Sequence, residues 1–141
     1  MFKSLDISAS GMHAERMRLE VISSNIANAN NTDRVNGEVY RRKQALLGIN
    51  SSVKANFSDL ITGVQVTKII DDNTDYKLMY DPEHPDAIQE GELKGYVQLP
   101  NVDINTEIFD LMSAQRGFEA NAKTFEALRD IINTSISIGK G

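Results

Sequence analysis

Apolar residues recur in the last third of the chain at Ile104, Ile108, Leu111, Phe118, Ala122, Phe125, Leu128, Ile132 and Ile136. Their steps of three, four or seven hold one stripe on one face of a helix. The pattern is unbroken from Val102 to Ile138 and predicts a helix of about 35 residues, roughly 50 Å long at 1.5 Å per residue. That exceeds the width of a small globule, so the helix must pack on something besides a compact core. Pro100 closes the extended piece before it, and Asn101 or Asp103 can cap the first free amides. Asp103, Glu107 and Asp110 sit where the positive end of the helix dipole favours them. At the other end Gly139 suits a left-handed cap, with Lys140 beside the free carbonyls.

A second helical pattern spans Ser4 to about Asn28 and carries two apolar lines instead of one. Leu5, Met12, Leu19 and Ile26 recur every seven residues, with Ala9 and Ile22 alongside, and Ile7, Ala14 and Val21 keep the same interval two residues later. Two residues turn the second line about 200° around the axis. A helix with two such lines is buried or packed between different partners, and the rest of the chain is too short to provide both. Gly11, at a cost of about 1 kcal/mol relative to alanine, predicts a close backbone approach. In the C-terminal helix Ala114, Gly117 and Ala120 form a line of small residues at spacing three where another helix can come near, with Arg116 and Glu119 facing elsewhere.

The stretch from Asn28 to Gly37 is rich in asparagine and reads as turn and loop. Four strands then follow: Glu38 to Leu47, Gly63 to Ile70, Tyr76 to Tyr80 and Gly95 to Leu99, with a loop over Gly48 to Ser58. The expected fold is α+β, with long terminal helices pairing as an antiparallel coiled coil and a small β-rich insert between them. The helical domain is discontinuous, residues 1–33 and 101–141, and the β-rich domain occupies 34–100. Two paired helices leave apolar surface wet, and at roughly 25 cal/mol per Å2 several exposed Leu, Ile, Phe and Met faces forfeit many kcal/mol. The expected assembly interface is therefore Leu5, Met12, Leu19, Ile22 and Ile26 on the first helix. On the second it is Ile104, Ile108, Leu111, Gly117, Phe118, Phe125, Leu128 and Ile132.

At 141 residues, with 40% hydrophobic and 25% charged, the chain is of a size and composition that folds as one domain or one domain with an extension. A formal charge of −5 argues against nucleic acid, whose binding needs a clustered basic face. Arg34, Arg41, Arg42, Lys43 and Lys54 make one basic region. Asp71, Asp72, Asp75, Asp81, Glu83, Asp86, Glu90 and Glu92 make an acidic one relieved by Lys77. Such runs are solvated faces, or alternatively meet between neighbouring copies. The absence of cysteine excludes disulfides, thiolate metal sites and cysteine nucleophiles. No run of 18 apolar residues is present, and Lys3, Ser4, Asp6, Ser8 and Ser10 interrupt any secretory signal core.

Candidate chemistry is sparse. His13 and His84 belong to no metal-spaced pair, and His13 reads as a polar face residue. Asp71, Asn73 and Asp75 imitate the start of a calcium loop, but Tyr76 stands where glycine is required and Pro82 where the bidentate glutamate belongs. No nucleophile elbow, phosphate loop or dinucleotide fingerprint occurs. The expectation is no catalytic residue, no metal, no cofactor and no small-molecule substrate.

Ile7 to Thr32, ISASGMHAERMRLEVISSNIANANNT, closely resembles the N-terminal signature of bacterial flagellar rod and hook axial proteins. Tyr80-Asp81-Pro82, His84-Pro85-Asp86-Ala87, Gly95-Tyr96-Val97, Leu99-Pro100-Asn101-Val102 and Phe118-Glu119-Ala120-Asn121 look like the basal-body rod family of the FlgC type. The likeness covers nearly the whole chain apart from the loop near Asn50. It departs at Gly117-Phe118 and over the Asp33 to Glu38 loop. The resemblance implies a proximal rod subunit exported unfolded through the flagellar type III apparatus, without a cleaved signal. Copies of it would stack helically with other rod proteins across the periplasm to transmit motor torque. It also implies that the terminal helices form an inner coiled-coil layer, disordered in free subunits. Other readings are another axial subunit of this family, a helical adaptor with one partner, or a small enzyme using Asp81, Glu83 and Asp86.

Overall fold

Asp103 starts the long helix. Its Oδ1 accepts the Asn105 N–H at 3.1 Å, a backbone donor the first turn leaves free, and its Oδ2 accepts the Thr106 hydroxyl at 3.2 Å. Asn101, the other capping candidate, is engaged elsewhere: its Oδ1 accepts the Arg42 N–H at 2.8 Å and its Nδ2 donates to Asp72 O at 3.0 Å. The computed structural model describes residues 2–35, 37–49 and 63–139. Among them the order is α1 (Phe2–Ala27), β1 (Lys43–Ile49), β2 (Val64–Asp71), β3 (Lys77–Tyr80), β4 (Tyr96–Leu99) and α2 (Ile104–Gly139). The architecture is α+β, two terminal helices packed together with a small antiparallel β insert between them.

The helix ends differ in one respect from the sequence reading. α2 continues through Gly139, which is not among the positive-φ glycines Gly37, Gly91 and Gly95, so no left-handed cap forms there; Lys140 lies outside the described residues. The first strand also begins later than expected, at Lys43 instead of Glu38. Residues 38–42 are drawn into tertiary contacts: Val39 is buried, its carbonyl accepts the Tyr76 hydroxyl at 3.1 Å, and the Tyr40 hydroxyl donates to Asn25 Oδ1 at 2.9 Å. At its far end β1 continues to Ile49, and of the loop expected over Gly48 to Ser58, residues 50–58 lie outside the described ones.

The strands form two separate ribbons. β1 pairs antiparallel with β2, Lys43 opposite Asp71 and Ile49 opposite Val64, with a register shift between Leu46 and Leu47. β3 pairs antiparallel with β4, and the Tyr80 and Tyr96 rings meet edge to face at 5.1 Å. The smaller ribbon is tied to the end of α1 by the Thr32 hydroxyl, which donates to Asp86 Oδ2 at 2.7 Å.

The larger ribbon lies along α1. Its base is fixed where Lys43 N–H donates to Asn25 Oδ1 at 2.9 Å, and its far end where Val64 N–H donates to Ser10 Oγ at 3.1 Å. This corrects the sequence reading that the chain is too short to cover two sides of the first helix. α1 has α2 on one side and the β1–β2 hairpin on another. A hairpin of seven- and eight-residue strands is long enough, at about 3.3 Å per residue, to run beside most of a helix rising 1.5 Å per residue.

Candidate functional site: the helix seam and the open face beside it

The two helices meet through small and polar residues. A Cβ on Gly11 would stand 2.8 Å from Asn121 Nδ2, and a Cβ on Gly117 would stand 3.1 Å from the Glu15 carboxyl. Each glycine thus receives a polar side chain of the opposite helix. Asn25 Nδ2 donates to Glu107 Oε2 at 2.9 Å, and these three pairings share one antiparallel register. Ala14, Ile22, Asn25, Glu107 and Ala114 are all buried along this line.

At the upper end of the seam lies a buried polar knot. Glu107 and Asn25 are both 0% exposed. Arg42 Nε donates to Glu107 Oε1 at 2.6 Å and its other arm reaches Asp110 Oδ2 at 3.1 Å, while Asp72 Oδ2 lies 3.8 Å away. Asn25 uses both ends of its amide: Nδ2 donates to Lys43 O and Glu107 Oε2, and Oδ1 accepts the Lys43 N–H and the Tyr40 hydroxyl. Every buried polar side-chain atom among the described residues has a hydrogen-bond partner, the condition under which such a cluster is tolerable.

Asp72 gives the knot a pH dependence. The Thr74 N–H donates to its Oδ1 at 3.0 Å and holds the carboxyl below its ordinary value of 3.8; burial opposes this, and the Thr74 hydroxyl and Arg42 add to it. Because the folded value is the depressed one, its stabilisation is complete above 3.8 and is lost as pH falls through the lower folded value. Asp72→Asn is expected to flatten the acid limb of a stability-against-pH curve below 3.8, as read by chemical denaturation at a series of pH values. An unaltered limb would contradict the assignment.

The apolar stripes lie beside this seam. At 100° per residue, Leu5, Met12, Leu19 and Ile26 stand about a quarter turn from the line of Gly11, Ile22 and Asn25. They occupy the side away from the hairpin, which packs near Ser10, Met17, Val21 and Ser24. On α2, Arg42 reaches from the hairpin to Asp110 on one flank of Glu107; Ile104, Ile108 and Leu111 turn toward the other flank. One side of the helix pair is covered by β1 and β2; Leu5, Met12, Leu19 and Ile26 of α1 and Ile104, Ile108 and Leu111 of α2 lie toward the opposite side. Ile104 and Ile108 remain 38% and 43% exposed there. Since Asn121 already lies opposite Gly11, α1 ends about nine residues further along the register, and the last turns of α2 project beyond it. Ile131, Ile136 and Ile138 in that projection are 52%, 52% and 75% exposed.

Known proteins match this sequence. The family described as "Flagella basal body rod protein" matches residues 5–34, and "Flagellar basal body rod FlgEFG protein C-terminal" matches residues 93–138, the two parts that hold the helices. The flagellar basal-body rod protein FlgC of Bacillus subtilis is 41% identical, over 99% of this chain and 98% of its own length. That of Borreliella burgdorferi is 35% identical over 100% and 99%, and that of Aquifex aeolicus 34% identical over 99% and 98%. The chain belongs to the FlgC family of flagellar basal-body rod proteins. It is a structural subunit of the proximal rod of the basal body and not an enzyme.

In this FlgC-family subunit the residues expected at the interface divide in three. Ile22 is buried and Gly117 is set against Glu15, both within the chain's own seam. Leu5, Met12, Leu19, Ile26, Leu111, Phe118, Phe125, Leu128 and Ile132 are half-buried, and Ile104 and Ile108 are exposed. Sequence reasoning missed Asn25, gave Asn101 a capping role where it instead holds Arg42 and Asp72, and placed Glu107 rightly in the first turn of α2 without seeing that it is fully buried. Arg42, read as part of a surface basic run, is turned inward onto Glu107, Asp110 and Asp72 of the same chain. One signal was available: Glu107 is in phase with Ala114 and Asn121, seven residues apart, so a carboxylate stands on the line that carries the closest packing.

Proposed function

We propose that this subunit assembles with copies of itself and with other rod proteins by laying the open apolar face of its helix pair, and the projecting end of α2, against its neighbours. The observation that carries the reading is the exposure of Ile104 and Ile108, with half-buried Leu5, Met12, Leu19 and Ile26 lying on the side of α1 away from the hairpin. Contacts between unlike surfaces that do not close into a ring generate helical filaments, the geometry a torque-bearing rod needs. In this reading residues 1–33 and 101–141 form the inner helical layer and 34–100 the outer one.

The route to the periplasm is part of the same proposal. Residues 2–27 form a helix that packs on α2, so they serve the folded subunit, in keeping with export through the flagellar type III apparatus with no removal of this stretch. No helix among the described residues is long and apolar enough to cross a membrane.

Ile108→Asp tests the interface. A residue 43% exposed in the free chain should change unfolding free energy by no more than about 0.5 kcal/mol when made polar. Cells carrying it are expected to lack complete rods and to be non-motile. Basal bodies purified with normal rods would overturn the reading.

A further inference from the structure

Burial is concentrated at one end of the helix pair. Ile22, Asn25, Val39, Val97, Val102 and Glu107 are all sealed where the end of α1 and the start of α2 meet the β insert. Both helix roots are tied to that insert and not only to each other: Asn25 bonds Lys43 and Tyr40, and Glu107 bonds Arg42, whose N–H Asn101 holds. Lys77 Nζ donates to Val102 O at 2.6 Å, and the Tyr76 hydroxyl to Val39 O at 3.1 Å. Beyond Val21 toward Phe2, and beyond Asp110 toward Gly139, the residues that stay buried are Ser8, Ala14 and Ala114, which hide little apolar surface. Gly11 and Gly117, both poor helix formers, lie in these same lengths.

Terminal helices that are disordered in a free subunit, as the resemblance implies, must become ordered somewhere along their length. We propose that the buried knot is that boundary: in the free chain the roots of the helices, residues 22–29 and 104–110, stay folded against the insert, and order is lost beyond them toward Phe2 and Gly139. A helix begun from nothing forms its first turn with a nucleation factor of about 0.001, after which each added residue costs little. The knot supplies that first turn to both helices, side by side and antiparallel, so on assembly each has only to lengthen as a neighbour covers it. The seeding role rests on the assembly proposed above; the ordered roots do not.

Hydrogen exchange on the full chain in dilute solution tests the boundary. The amides that close the root turns, those of residues 26–29 and 107–110, include Asn28 N–H on Ser24 O and Glu107 N–H on Asp103 O. They are expected to exchange at least about a hundredfold slower than in an unfolded chain, and the amides of residues 2–14 and 118–139 at the unfolded rate. Slow exchange along the whole of both helices would overturn the proposal, as would roots that exchange as fast as the tips. Asn25→Ala is expected to speed residues 26–29 by about tenfold or more while the Ile88 and Gly95 amides, bonded within the smaller ribbon, keep their rates. Unchanged roots in that variant would contradict the knot's role. If it speeds every amide alike, Tyr40→Phe decides, since it removes one of four bonds to Asn25: a change at 26–29 larger than at Ile88 and Gly95 supports the boundary, and an equal change overturns it. Ile108→Asp should leave the exchange pattern as it is, so a failed interface and a failed boundary are read apart.

Discussion

Arg42→Ala is expected to destabilise the chain by about 3–5 kcal/mol, the range for stranding one partner of a buried ion pair. Arg42 is 18% exposed and Glu107 0%, so the carboxylate left behind would have only the Asn25 amide and little water. The loss would spread, because the same guanidinium also holds Asp110 on α2 and stands 3.8 Å from Asp72. Urea denaturation followed by circular dichroism would read it as a lower midpoint at constant slope. Glu107→Gln should cost less, since an amide keeps hydrogen-bonding capacity and removes the buried negative charge. A midpoint unchanged in Arg42→Ala would mean that solvent reaches Glu107 and that the knot is not sealed.

Leu19→Asp is expected to abolish motility with much less effect on the free chain. Leu19 stands on the open side of the seam, half-buried in the single subunit. Covered by a neighbour, an aspartate there would lose its water without gaining a partner. At roughly 4 kcal/mol such a loss weakens each contact about a thousandfold, and it recurs at every copy in the polymer. Phe125→Asp, also half-buried, should act in the same direction. His13→Asp provides the comparison: His13 is exposed and about half a turn from the α2-facing line, so cells carrying it should swim normally. Normal swimming in Leu19→Asp would count against the open face as the contact surface, as would lost swimming in His13→Asp.

These two substitutions separate two jobs that the sequence had merged. The heptad lines of Leu5, Met12, Leu19 and Ile26 and of Leu111, Phe118 and Phe125 announced two helices with more apolar surface than one pairing can hide. Read alone, they placed helix pairing and assembly on the same stripe. In the folded chain the pairing runs through Gly11, Asn25, Glu107 and Gly117, and the stripe beside it is half-buried in the single subunit.

Periodicity, capping and turn chemistry by themselves determined the elements: the long helix from Asp103, the first helix with its two lines, the β insert, and a close approach at Gly11. These are local properties, fixed by side chains within a turn or a strand of one another. The pairing of Glu107 with Arg42 and Asn25, 65 and 82 residues away along the chain, was decided only by the tertiary structure, as was the hairpin's choice of one side of α1. No local pattern encodes which distant partner will satisfy a buried charge. That depends on where the chain is brought after every element has packed, and the need for a partner becomes visible only once water has been excluded.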